Sequence, residues 1–232
     1  MRSKSRLVIL LLVSCRLYAA TQNALRMDFT RYTSENGRTD TIHGQLWEYP
    51  SNRLALIVSH PMEQWMFLDS NHMILYYPME KKAFRFASKK KFAMPFFQAF
   101  QSAREGTAVF PEMGFTLKRN LEKGDTLYSL WDPPLKFRKM IGVAKVGMVR
   151  GKLAVSQVKD PEGNIVAESF FRNYQIRNGV SFPMEIEIRT NSGKRNTLEK
   201  SLFENLQPNT ALPENIMNFQ IPYDAQIKDV EW

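Results

Sequence analysis

The sequence predicts a mainly β protein of the α+β class, with one long twisted antiparallel sheet and a few covering helices. Three observations predict it. Apolar residues alternate with polar ones through most of the chain after Ala24. Turn-forming clusters punctuate those runs at short intervals. Helical spacing of apolar residues is sparse. A sheet of this length tends to coil, because strand twist accumulates.

The elements follow in order. Leu25 to Tyr32 alternates, Ser34-Glu35-Asn36-Gly37 turns the chain, and Thr41 to Tyr49 pairs back. Pro50-Ser51-Asn52 breaks that strand, and Leu54 to Ser59 forms the next. Trp65 to Asp69 and His72 to Tyr77 make a hairpin around Ser70-Asn71. Gly114 to Leu121 pairs with Thr126 to Trp131, and Lys152 to Lys159 with Ile165 to Tyr174. Phe182 to Thr190 sets Met184, Ile186 and Ile188 against Glu185, Glu187 and Arg189, then pairs with Asn196 to Asn205. The best helix is Pro95 to Arg104, where Phe96, Phe97 and Phe100 form an apolar stripe and Pro95 is tolerated in the first turn. A short turn is expected near Pro213 to Asn218.

The chain of 232 residues can form one substantial domain. With 44% apolar and 12% aromatic residues, disorder is a poor reading. MRSKSR, LVILLLV and RLYAATQ read as the basic, apolar and cleavage regions of a secretory signal, too short to span a bilayer. The expected division is therefore a signal peptide at 1–20 and a single exported domain at 21–232. Cys15, the single cysteine, lies in a Leu12-Val13-Ser14-Cys15 stretch that resembles a bacterial lipobox. Lipidation there anchors the protein; cleavage after Ala19 or Ala20 leaves it soluble and without cysteine. Neither form has a disulfide framework. Loss of Arg2, Lys4, Arg6 and Arg16 lowers the formal charge from +9 to +5. That is a mild positive field and a weak argument for nucleic acid. Lys89-Lys90-Lys91 reads as a solvated loop.

Catalytic and metal signals are thin. His60 and His72 lack the spacing of a zinc site, and His43 lies in another strand. Asp69 reads as a turn residue that accepts local backbone hydrogen bonds. The sequence lacks a phosphate loop, a GxSxG elbow and a CxxC pair. No enzyme, cofactor or metal is expected. The Trp65–Tyr77 hairpin is unusual because both faces are apolar: Trp65 and Phe67 oppose Met66 and Leu68, and Met73, Leu75 and Tyr77 oppose Ile74 and Tyr76. A sheet of that kind needs cover on both sides. Protein on both faces is one solution, and an apolar ligand on one face is the other.

Four segments carry a family resemblance. GQLWEYP (Gly44 to Pro50) and LDSNHMILYYP (Leu68 to Pro78, with Asp69, Ser70, Tyr76 and Pro78 at the matching positions) precede DPEGN (Asp160 to Asn164) and FQIPYDAQIKDVE (Phe219 to Glu231). In this order they resemble the periplasmic outer-membrane lipoprotein carrier family, LolA, over most of residues 25–231. The resemblance implies an incomplete β-barrel, a helical lid and an apolar cavity for acyl chains. It further implies a monomeric carrier that takes acylated lipoproteins from an inner-membrane release complex to an outer-membrane receptor. The alternatives are an outer-membrane-anchored acceptor or lipid-binding protein of the same fold, and a secreted interaction module that is not a carrier.

Cavity candidates on this resemblance are Trp47, Leu54, Leu56, Val58, Trp65, Phe67, Ile74 and Tyr76, with Phe96, Phe97 and Phe100 on the lid. The opposite parity, with Met66, Met73 and Leu75, stays open, and each residue also reads as ordinary core. Two features depart from the family pattern. The β-like RMDFTRYTSENG leaves little room for an initial lid helix. The family's lid-proximal Arg position falls on Leu54, so Arg53 is the candidate latch after a shift of one residue.

Overall fold

The computed structural model describes residues 23–50, 53–69, 72–87, 95–192 and 195–231. The signal segment, Cys15, Ser70, Asn71 and Lys89-Lys90-Lys91 lie outside the described residues. One curved sheet contains every described strand, in the order β14-β6-β5-β4-β3-β2-β1-β13-β12-β11-β10-β9-β8-β7.

The first meander runs through β1 (Asn23–Glu35), β2 (Arg38–Tyr49), β3 (Arg53–His60), β4 (Gln64–Leu68), β5 (His72–Tyr77) and β6 (Lys82–Ala87). The second runs through β7 (Thr116–Lys123), β8 (Thr126–Asp132), β9 (Ala144–Val149), β10 (Lys152–Lys159), β11 (Ile165–Arg177), β12 (Val180–Ser192) and β13 (Arg195–Ala211). Antiparallel pairing of β1 with β13 joins the two in the middle. The final strand, β14 (Gln226–Glu231), lies parallel to β6 at one edge, and β7 occupies the other. The edges do not pair, so the barrel is incomplete, as the family resemblance implies. β1 begins at Asn23, the first described residue.

Local chemistry explains the register. Asn36 and Gly37 both take positive φ, as do Arg150-Gly151 and Asn178-Gly179. Two adjacent residues of this kind make the tight turn whose twist matches a hairpin. Between β2 and β3 the register shifts at His43/Gly44. An ideal Cβ on Gly44 would lie 2.3 Å from the Ile57 carbonyl oxygen, so only glycine permits this approach.

The helix α1 (Pro95–Glu105) packs on the concave face, chiefly against β12, and is followed by a 3-10 turn at Gly106–Ala108 and α2 (Val109–Glu112). The main core lies beneath them. It unites Met27, Leu46, Leu56 and Met73 from one meander with Val146, Leu153, Phe171 and Ile186 from the other. Phe100 of α1 is fully buried, with its ring 5.2 Å from Phe182. On the convex face a smaller core forms under α3 (Glu214–Met217) and its flanks, where Leu212, Ile216 and Phe219 cover Trp47, Ala55 and Phe67.

Candidate functional site

Strand parity settles which residues share the concave wall. Cross-strand pairs run Met27–Leu46–Leu56–Met66–Leu75–Phe84 in one row and Leu54–Leu68–Met73–Phe86 in the next. Pairs of this kind place side chains on one face. Leu54, Leu56 and Val58 are buried here together with Phe96, Phe97 and Phe100 of α1. These six sequence candidates therefore meet.

Trp47, Trp65, Phe67, Ile74 and Tyr76 belong to the other face. Phe219 stacks on Phe67 at 4.1 Å and lies 5.8 Å from both Trp65 and Tyr76. Chain, rather than an open cavity, covers them. The twofold apolar hairpin thus has two protein covers, α1 inside and the α3 segment outside. Met66 and Met73, the open alternative, occupy the α1 side.

The last turns of α1 pack closely on the end of β2 and the start of β3. A gap of about 10 Å³ remains among Glu48, Leu54, Phe97, Phe100, Gln101 and Arg104. That is about the space of one water.

One ion pair holds the last turn of α1 to the sheet. Arg104 Nε donates to Glu48 Oε2 at 2.6 Å, and both side chains are mostly shielded. The cation also suits the helix C-terminus. Arg53 does something different: its Nε donates to the Pro50 carbonyl at 3.1 Å, and its guanidinium lies 4.6 Å from the Tyr49 ring centroid. It braces its own turn. Sequence reasoning missed the Arg104–Glu48 pair. The available signal was a basic residue ending the Phe stripe and an acid within GQLWEYP.

Arg31 was also missed. It enters the concave wall from β1, opposite Ser201, with its guanidinium 5.4 Å from the Phe96 ring centroid. Its Nε is buried without a hydrogen-bond partner. Burial pulls its pKa below the ordinary arginine value, and Glu199 opposes the shift. A buried Nε–H without a partner, beside an aromatic ring, is a ready donor to a carbonyl or anionic oxygen.

The histidines stay apart from this wall. His72 lies beside Asp69, which accepts the His72 backbone N–H at 2.7 Å and so serves as a turn residue, as expected. His43 pairs with the Thr30 hydroxyl at 2.8 Å, and its ring lies 5.9 Å from that of His60. Asp28, Thr30, His43, Gln45 and Ser59 border a convex groove of about 500 Å³. Asp28 is already engaged by Arg26 and Asn205. Among the described residues, no group of three His, Cys, Asp or Glu converges on a metal position.

The fold is LolA-like. A LolA superfamily protein from Nitrosomonas europaea superposes with a TM-score of 0.56 at 11% identity, covering 84% of this chain and 90% of that one. A DUF1329 family protein from Desulfovibrio piger ATCC 29098 gives 0.64 at 11% identity, with 86% and 91% covered. A putative outer membrane lipoprotein-sorting protein domain from Vibrio parahaemolyticus gives 0.57 at 12% identity, with 84% and 89% covered. No protein-family model and no curated protein matches the sequence.

Proposed function

We propose that this chain is a periplasmic carrier that holds lipoprotein acyl chains between α1 and the concave wall. The observation that carries this reading is the lid geometry: one short helix, fastened by Arg104–Glu48, covers an apolar wall shared by both meanders. Acyl chains are costly to expose to water, at roughly 0.8 kcal/mol per CH₂. A wall whose cover can be displaced suits a cargo that must be buried and later released. The likeness in fold to a LolA superfamily protein and a lipoprotein-sorting domain supports the same reading.

On this proposal α1 swings away and cargo takes the place of Phe96, Phe97 and Phe100 against Leu54, Leu56, Val58, Met66 and Met73. Arg31 receives a polar oxygen at the head of the acyl chain. The protein does no covalent chemistry. Its signal is removed near residue 20, and it shuttles between an inner-membrane release complex and an outer-membrane receptor.

Native mass spectrometry of the gently purified protein, with a diacylated lipopeptide supplied, tests the site. A bound complex lost on substitution of the concave wall is the expected result. No complex, with α1 remaining seated, overturns the carrier reading. Depletion in the source bacterium then tests transport: outer-membrane lipoproteins should accumulate in the inner membrane.

The Leu12-Val13-Ser14-Cys15 stretch favours a second reading, an anchored acceptor with the same cavity. Intact mass separates the two, because a diacylated Cys15 terminus is heavier than an unmodified chain beginning near Thr21.

A further inference from the structure

We propose that the β8–β9 loop, residues 133–143, is a docking tip for an anionic lipid bilayer. The loop holds two large apolar side chains in solvent: Leu135 is 79% exposed and Met140 is 73% exposed. Lys136, Arg138 and Lys139 stand among them, and the segment contains no carboxylate. Among the described residues, these three cations make no ion pair; the nearest acid in sequence, Asp132, faces Lys118 at 3.4 Å.

The tip is rigidly built. A 3-10 turn at Leu135–Phe137 is closed by Phe137 N–H donating to the Pro134 carbonyl at 2.8 Å. Met140 and Ile141 both donate to the Phe137 carbonyl at 2.8 Å. Gly142 then donates to the Lys159 carbonyl at 2.7 Å, and a Cβ there would lie 2.2 Å from the Asp160 carbonyl oxygen. Backbone bonds therefore hold the apolar side chains outward instead of letting the loop fold back over them. Apolar groups held in water mark a contact surface. Apolar residues among cations fit the boundary between acyl chains and anionic headgroups.

The other strongly exposed apolar residues have fewer free cations around them: Ile176 has Arg177 beside it, whose Nη1 donates to the Leu206 carbonyl. Met79 lies beside Glu80 and Tyr223 beside Asp224, acids that pair with Lys82 and Lys81 and so leave those lysines less charge to offer an anionic surface. The inference is independent of the cargo reading: Ile141 packs against the main core, but Leu135, Lys136, Arg138, Lys139 and Met140, which carry the proposal, are exposed.

Co-sedimentation of the full chain with phosphatidylcholine vesicles, with and without phosphatidylglycerol, tests the proposal. Binding is expected to the anionic vesicles and to weaken with salt. Leu135→Ser with Met140→Ser should lower affinity by more than about tenfold. Lys136→Gln, Arg138→Gln and Lys139→Gln together should lower it by about a hundredfold. Both variants change exposed residues, so circular dichroism should match the parent chain. Absence of binding overturns the proposal. Equal binding by the parent and both variants also overturns it and places attachment elsewhere, such as the N-terminal segment.

Discussion

Arg104 and Glu48 join the end of α1 to the end of β2 through a 2.6 Å charge-assisted hydrogen bond. This ion pair ties α1 to the sheet. Replacing Glu48 with Gln, or Arg104 with Met, leaves a shielded partner without its counter-charge. A loss of about 1–3 kcal/mol is expected for either variant. Urea unfolding measures the loss, and stopped-flow uptake of a fluorescent fatty acid measures lid opening. Faster uptake in both variants is expected; unchanged uptake rates would show that the pair does not restrain α1.

The two faces of the β4–β5 hairpin should separate by experiment. Phe219→Ala removes the ring stacked on Phe67 from the convex face. It should cost about 2–4 kcal/mol of stability yet leave acyl binding by the folded protein unchanged. Met66→Gln places an amide on the concave wall at a half-buried position. It should weaken acyl binding with less loss of stability. Calorimetric melts combined with lipopeptide titrations read both quantities. Weaker binding from Phe219→Ala alone would point to the convex face instead.

The same hairpin shows how far the sequence was legible. Period-two alternation identified its strands and showed that both faces needed cover. It could not label one face as interior, because Trp65 and Met66 are equally apolar. The label comes from contacts distant in sequence: Phe219 returns to one face, and α1 lies over the other. The short Phe stripe of α1 was legible because aromatic residues at helical spacing leave few alternatives. The edge strands were harder. β14 is largely exposed and its QIKDVE offers little apolar alternation, so pairing with β6 decides its conformation. Arg104 and Glu48 could be read only as separate charges until the fold brought them together.

Gly44 should resist substitution. Even a methyl group there meets the Ile57 carbonyl oxygen at 2.3 Å and the Val58 Cα at 2.8 Å. These are backbone atoms in a central strand pair, so no side-chain rotation relieves the contact. Gly44→Ala should cost about 1–3 kcal/mol and lower the melting temperature by several degrees. Gly37→Ala meets no atom within 4 Å and acts only through its positive φ, so its effect should be smaller. Equal melting temperatures for Gly44→Ala and the parent would show that β2 and β3 can separate there without loss.

Glu187 links stability to pH on the convex face. Burial acts to raise its pKa, but hydrogen bonds and charge from Arg172 and Arg189 outweigh burial and hold it below the ordinary value. Arg172 Nη1 donates to Glu187 Oε2 at 3.1 Å, and Arg189 Nε donates to Oε1 at 2.7 Å. A carboxylate with a depressed folded pKa binds its proton more readily in the unfolded chain. Its contribution is therefore complete above the unfolded value, near about 4.3, and fades as pH falls through the lower folded value. Glu187→Gln should lower stability at neutral pH and narrow the difference from the parent chain in acid. Urea midpoints collected from neutral pH downward test this. A constant difference across that range would show that the Glu187 charge does not govern the acid response.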